Sequence, residues 1–259
     1  MPNPSVAECR TELCHADGEC LRALIAAHEH DGRAGVRDAV ERARRRLARH
    51  DRETERLDAL NGLEDRLRRD GFSVIAGIDE VGRGALAGPL TAAAVVLGPG
   101  TRLAGLNDSK QLSPAHREHV AAEIRLVAVA YAVAHVPAHI IDALGMTRSL
   151  RYVMEMALTR LDTVADHAVT DGHRVGLSVP ETAVVKGDAT VAAIAAASVL
   201  AKVERDRLMV GLADRYPVWG FDVNKGYGTP EHLEAITEHG VTPLHRRSFS
   251  PCSTTPTLF

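Results

Sequence analysis

The chain has 259 residues, 45% of them apolar and 25% charged, and a formal net charge of −3. These values exclude collagen-like, low-complexity and disulfide-scaffold classes, and no global basicity advertises a nucleic-acid partner. No apolar stretch approaches the roughly 20 residues of a membrane span, and the first residues lack a basic start followed by an apolar run, so the chain is read as cytoplasmic with no membrane partner.

Residues 1–30 read as irregular and polar. Cys9, Cys14 and Cys20 match no common zinc spacing, and with Cys252 they are expected to stay thiols in a reducing compartment. From Gly35 to Asp70 charges of both signs crowd together. Val36, Val40, Ala43 and Leu47 recur at helical spacing, as do Leu57, Leu60, Leu63 and Leu67. Two amphipathic helices are predicted there, broken near Asn61-Gly62 or a little before. The acidic residues nearly cancel the Arg44-Arg45-Arg46 run, which favours a solvated hairpin over a phosphate-binding arm.

The main domain is predicted over 71–250, after an extension at 1–70 and before a tail at 251–259. Phe72–Ile78 reads as a buried strand ending in Asp79-Glu80, followed by a tight turn at Gly82-Arg83-Gly84. Leu90–Leu97 is a second apolar run. Ser113–Arg125 reads as a helix with Ser113 as N-cap and Pro114 at the first position. Leu126–Val136 is a third apolar run. Ala138–Leu144 and Thr147–Thr163 read as helices, Ala168–Thr170 and Thr182–Val185 as short strands. Thr190–Arg215 is a long Ala-rich helix, and Glu231–His239 a shorter one. The succession implies an α/β domain with a mixed sheet.

Three acidic clusters fall at strand ends: Asp79-Glu80, Asp171 and Asp188. Strand ends of an open α/β sheet are where ligands bind. Converging carboxylates repel one another unless a positive charge sits between them. Mg²⁺ or Mn²⁺, hard cations that prefer oxygen, would meet that need, and a pair of such ions is the usual apparatus of phosphodiester hydrolysis. A dinucleotide loop at Gly82–Gly88 is rejected, because Asp79 and Glu80 would face the pyrophosphate and Pro89 interrupts the helix that should open there.

The chain holds four lysines against 27 arginines, and Lys110, Lys186, Lys202 and Lys225 all sit in local motifs. A compact ammonium is not interchangeable with a planar guanidinium, so these positions suit phosphate contacts. Tyr216, Trp219, Phe221 and Tyr227 cluster in one loop. The first three read as packing residues. Tyr227, between glycines, suits stacking on a sugar or base as well as packing.

The run Gly77-Ile78-Asp79-Glu80-Val81-Gly82-Arg83-Gly84, with Ala87-Gly88-Pro89, resembles the opening signature of ribonuclease HII. Asp108-Ser109-Lys110-Gln111-Leu112-Ser113, Asp171-Gly172, Lys186-Gly187-Asp188, Ala195–Val203 with Arg205-Asp206-Arg207, Asn224–Thr229 and His245–Phe249 follow in that family's order. The extension resembles that of longer bacterial members. The resemblance implies an RNase H-like domain with a central mixed five-stranded sheet flanked by helices, plus a helical N-terminal extension. It implies cleavage of RNA in RNA–DNA hybrids and nicking of duplex DNA 5′ to embedded ribonucleotides. Asp79, Glu80, Asp171 and Asp188 would be the catalytic, metal-binding carboxylates, holding two Mg²⁺ or Mn²⁺ ions. Gly82, Arg83 and Gly84 would read the ribose 2′-hydroxyl, and Tyr227 would stack at the RNA–DNA junction. Ser109, Lys110, Lys186 and Lys202 carry over as substrate contacts. A monomer is expected, with a sliding clamp as an open partner. Glu204 stands where Thr is usual, and Leu144–Ser149 replaces an Asn-led helix start.

Overall fold

The structure is a computed structural model and describes residues 4–253. The chain divides into two compact units, Met1–Asp58 and Ala59–Phe259. In the first, helices α1 (Val6–His15), α2 (Gly18–Ala27) and the start of α3 (Ala34–Arg69) enclose a small core of Cys9, Leu13, Leu21, Ile25, Val36 and Val40. The segment expected to be irregular is therefore helical. Its signal lies in a capping box, in which Ser5 Oγ accepts from the Glu8 N–H while the Glu8 carboxylate accepts from the Ser5 N–H. The apolar pairs Cys9/Leu13 and Leu21/Ile25 then repeat at i, i+4.

The break expected near Asn61-Gly62 is also absent, and α3 runs for 36 residues. A glycine inside a helix costs only about 1 kcal/mol. Asn61 offsets part of it by donating Nδ2 to the Thr101 carbonyl at 3.1 Å. The last turns of α3 belong to the second unit, where Leu63 and Leu67 pack with Ile75, Val169, Val191 and Ile194.

That unit is built on five strands: β1 (Ile75–Val81), β2 (Leu90–Val96), β3 (Ala130–Val136), β4 (His167–Asp171) and β5 (Glu181–Val184). Their order is β3-β2-β1-β4-β5, antiparallel from β3 to β1 and parallel from β1 to β5. This is the expected mixed five-stranded sheet. Helices α4 (Pro114–Val127), α5 (Ala138–Leu144), α6 (Met146–Thr159), α7 (Gly187–Thr190), α8 (Ala192–Ala213), α9 (Phe221–Asn224) and α10 (Pro230–His239) complete it. Ser113 caps α4, its hydroxyl accepting from the His116 N–H, with Pro114 in the first turn. The third apolar run divides, Leu126 and Val127 closing α4 before β3 opens at Ala130. The long helix opens at Ala192, after the short α7, rather than at Thr190.

The central strand is buried on both faces, which is why it reads as an unbroken apolar run. On one face Ala76 and Ile78 join Val153, Met154 and Ala157 of α6 in the main core. On the other face α8 lies very close. A Cβ added to Gly77 would stand 2.2 Å from the backbone carbonyl carbon of Ala193. Helix and strand meet at backbone distance because small residues face each other there. Tyr216, Trp219 and Phe221 pack in a second core with Met209 and Ile236, as their clustering suggests. All four cysteines are free thiols. Among the described residues no helix is long and apolar enough to cross a membrane.

Candidate active site

The parallel strands β1, β4 and β5 end at the same edge of the sheet, and the acidic residues sit at those ends. Pairing of β1 with β4 stops at Ile78↔Thr170, whereas pairing with β2 continues to Val81↔Thr91. Asp79 and Glu80 thus run past the end of the pairing with β4, whose last residue is Asp171. Side chains alternate across the sheet, so Asp79 shares the face of Gly77 and meets α8, where the Ser198 hydroxyl donates to it. Ser198 Oγ lies 2.9 Å from Ser109 Oγ. The two hydroxyls share one hydrogen bond behind Asp79. Glu80 lies on the α6 side and accepts from Arg83 Nη1 at 3.2 Å.

A cavity of about 550 Å³ opens at this edge. Asp79, Glu80, Asp171, Gly82, Arg83, Gly84, Ser109, Lys110, Lys202 and Tyr227 line it, so ten of the twelve residues singled out in the sequence meet there. The other two do not line it. Asp188 is buried beside it, with its Oδ2 accepting from Lys110 Nζ at 3.1 Å. Lys186 is exposed, with a left-handed backbone (φ 59°) that turns the chain into α7. Asp171 accepts the Gly187 N–H at 2.6 Å, which ties the end of β4 to that turn.

Burial, and then the neighbouring Glu80, push the Asp79 carboxyl well above the usual carboxylate range. Glu80 is raised by burial despite Arg83, with Asp171 adding to the rise. Burial works against the Lys110 ammonium, but Asp188 outweighs it and holds its pKa above the usual value. Four carboxylates, Asp79, Glu80, Asp171 and Asp188, meet three cations here, Arg83, Lys110 and Lys202, and Lys202 is also paired with Asp206. Among the described residues no three His, Cys, Asp or Glu side chains form a ready-made enclosure for a metal ion. The donors lining the cavity are nevertheless carboxylate oxygens whose charge is opposed by burial first and by one another second. That chemistry fits a hard divalent cation.

Residues 76–252 match the pattern of the family described as Ribonuclease HII, and residues 5–68 that of the Ribonuclease HII N-terminal domain. The chain belongs to the ribonuclease HII family. The ribonuclease HII of Halalkalibacterium halodurans is 40% identical over 251 residues, which span 97% of this chain and 95% of that one. The solved ribonuclease H2 of Pyrococcus horikoshii superposes with a TM-score of 0.62 at 28% identity, over 70% of this chain and 96% of that one. The ribonuclease HII solved in a complex with PCNA from Archaeoglobus fulgidus gives 0.60 at 28% identity, over 69% and 96%. Ribonuclease HII enzymes are divalent-metal-dependent endoribonucleases with ribonuclease H activity on RNA–DNA hybrids, and this chain is one of them.

Several contacts of this ribonuclease HII site are visible only in three dimensions. Lys202 pairs with Asp206 at 2.8 Å and stands 6.0 Å from the Tyr227 ring centre. Arg205, fully buried, lies 5.2 Å from the same ring and donates to the carbonyls of Pro89, Ala87 and Lys225. Glu204, the departure from the family's usual Thr, is met by Arg125 at 2.5 Å. Gly145 joins α5 to α6, and Met146 and Thr147 beyond it line a neighbouring cavity that shares Glu80, Arg83 and Asp171.

A histidine relay fixes the Tyr227 loop. His232 Nδ1 lies 2.8 Å from the Tyr227 carbonyl and must donate. Its Nε2 then accepts from His245 Nε2 at 3.1 Å, and His245 Nδ1 accepts the Thr242 N–H at 3.0 Å. The relay requires both rings neutral. Burial, then the neighbouring His232, push His245 down to about 3. An unfolded histidine titrates near 6.5, so on acidification the unfolded chain binds the proton first. The contribution to stability is full above about pH 6.5 and is lost as pH falls toward 3. By pH 5 this group alone is expected to remove about 2 kcal/mol. Urea midpoints at pH 7 and pH 5 check this. The difference should shrink in His245→Gln, and an equal difference in both proteins would refute it.

Proposed function

We propose that the chain nicks duplex DNA on the 5′ side of a single embedded ribonucleotide, leaving a 3′-hydroxyl and a 5′-phosphate, in addition to cleaving the RNA of hybrids. One observation carries this reading. The glycine turn at Gly82–Gly84, three carboxylates and Tyr227 line the same cavity. A site built only to cut phosphodiesters needs the carboxylates, whereas telling one ribonucleotide from its deoxy neighbours needs a close approach to the 2′-hydroxyl.

Asp79, Glu80, Asp171 and Asp188 would hold two Mg²⁺ or Mn²⁺ ions. Such ions, when bound, supply an activated water and charge stabilisation of the leaving 3′-oxygen. The chain's own residues do the rest. Backbone groups of Gly82, Arg83 and Gly84 approach the ribose without an intervening side chain from the glycines. Ser109 steadies Ser198 and, through it, Asp79. Lys110 and Lys202 face the cavity with ammonium groups suited to phosphate, and Lys186 offers a third outside it. Tyr227 presents a ring backed by Arg205 for stacking at the junction. The chain is proposed to act as a monomer in the cytoplasm. A sliding clamp is the partner class suggested by the Archaeoglobus complex. The C-terminal Thr257-Leu258-Phe259 lies outside the described residues.

The test is a gel assay on a labelled duplex with one ribonucleotide, beside an all-DNA duplex and the Asp188→Asn protein, with Mg²⁺, Mn²⁺ or EDTA. A metal-dependent nick 5′ to the ribonucleotide, absent from both controls, supports the reading. Folded protein that binds the duplex without cutting it would overturn the nicking reading and leave the activity on the RNA of hybrids. Tyr227→Ala is expected to lose roughly 10-fold or more at an isolated ribonucleotide, given the usual worth of one stacked base, and less on a long hybrid. An equal loss on both substrates would reduce Tyr227 to packing.

A further inference from the structure

Arg246 is fully buried, yet among the described residues it makes no ion pair with a carboxylate. Its Nε and Nη2 donate to the Gly88 carbonyl at 3.2 and 3.1 Å, and its Nη1 to the Arg83 carbonyl at 2.9 Å. Burying a guanidinium without a counter-ion is costly. What it gains is a planar fork that spans two carbonyls of the turn following Glu80, which a lysine cannot reproduce.

The consequence lies in the Arg83–Gly84 peptide. A trans peptide is planar, so its C=O and N–H point in opposite directions. With the Arg83 carbonyl held on a buried cation, the Gly84 N–H is turned away from the interior. Gly84 is exposed and lines the cavity, and its N–H donates to no described residue. Charge-assisted bonding at the carbonyl also polarises the peptide, which makes that N–H a stronger donor. Arg205 grips the carbonyls of Ala87 and Pro89 in the same segment but does not touch this peptide.

We propose that Arg246 is a positioning residue for ribose recognition, aiming and strengthening the Gly84 N–H as a donor to the 2′-oxygen of the nucleotide to be cleaved. The inference rests on the ribose-reading role proposed above for the Gly82–Gly84 turn. It adds a specificity determinant that never touches substrate.

The experiment compares wild type, Arg246→Lys and Gly84→Pro on the single-ribonucleotide duplex. Affinity for the all-DNA duplex is measured by fluorescence anisotropy, and Tm in parallel. Arg246→Lys keeps the charge but loses the fork. Gly84→Pro removes the N–H itself at an exposed position where an added Cβ would meet nothing within 4 Å. Both should lower kcat/KM on the ribonucleotide on the order of 10²-fold, the usual cost of a misplaced group, while all-DNA affinity stays at the wild-type level. A merely structural role would lower both together, and that result overturns the proposal. So does wild-type cleavage by either variant. If Arg246→Lys does not fold, Arg246→Gln, which leaves no unpaired buried charge and also loses the fork, takes its place with the same expected and overturning results. Failure of the wild type to nick at the ribonucleotide would instead refute the function proposed above.

Discussion

Asp171→Asn is expected to abolish cleavage, by at least roughly 10³-fold, while leaving the protein folded and no less stable. The two halves have different causes. The carboxylate contributes negative charge to a cavity that also holds Asp79 and Glu80, and an amide offers a cation no charge. The fold uses Asp171 differently. Its Oδ1 accepts the Gly187 N–H at 2.6 Å, and an asparagine oxygen of the same shape accepts it too. Asp171 also raises the pKa of both Asp79 and Glu80 by repulsion, after burial. Removing its charge relieves that repulsion, so Tm should hold or rise. A second readout needs no turnover. A ligand that binds only the folded state raises Tm by mass action, so Mg²⁺ should raise the wild-type Tm and have a smaller effect on Asp171→Asn. Near-normal turnover, or an equal Mg²⁺ shift in both proteins, would contradict the assignment of Asp171 as a cation ligand.

How far the sequence announced this site depends on the range of each interaction. Asp79, Glu80 and Asp171 were legible because they end apolar runs, and parallel strand ends share one edge. The N-cap at Ser113 was legible because capping is local. Ser198 left only a faint sign, a lone hydroxyl in an alanine run whose neighbours are all buried. Arg205 and Arg246 stand in motifs that carry the family resemblance, but the sequence assigns neither a role. Their partners lie between 20 and 163 residues away, and nothing local shows that they are buried. Asp188 was placed at the right edge, but its direction depends on Lys110, 78 residues earlier. The N-terminal helices were missed for a different reason. Their apolar positions are few, so a weak i, i+4 signal was lost in a polar background, although the Ser5/Glu8 box marked the first start.

Gly77→Ala should be among the most damaging single changes in the catalytic unit, although it adds only one methyl group. That methyl would lie 2.2 Å from the carbonyl carbon of Ala193, 2.4 Å from its Cβ and 2.5 Å from its carbonyl oxygen. Two of those atoms are backbone, so no side-chain rotation can clear them. Either β1 or the first turn of α8 must move by about an ångström in a close-packed interior. Overpacking of this kind typically costs 1–3 kcal/mol, occasionally more. The displacement would also reach the chemistry. Gly77 is two residues before Asp79 on the same face of β1, and Ser198 lies on the helix packed against that face, so movement of either element changes the surroundings of Asp79. Stability and turnover should therefore fall together, unlike the split expected for Asp171→Asn. Urea unfolding should show a midpoint lowered by that free energy at unchanged m-value. kcat on a ribonucleotide-containing duplex should drop by about 10²-fold, as for other misplaced groups. A folded Gly77→Ala protein with the wild-type midpoint would show that the contact between β1 and α8 is looser than its backbone distances indicate. A lowered midpoint with unchanged kcat would show that Asp79 does not depend on the helix behind it.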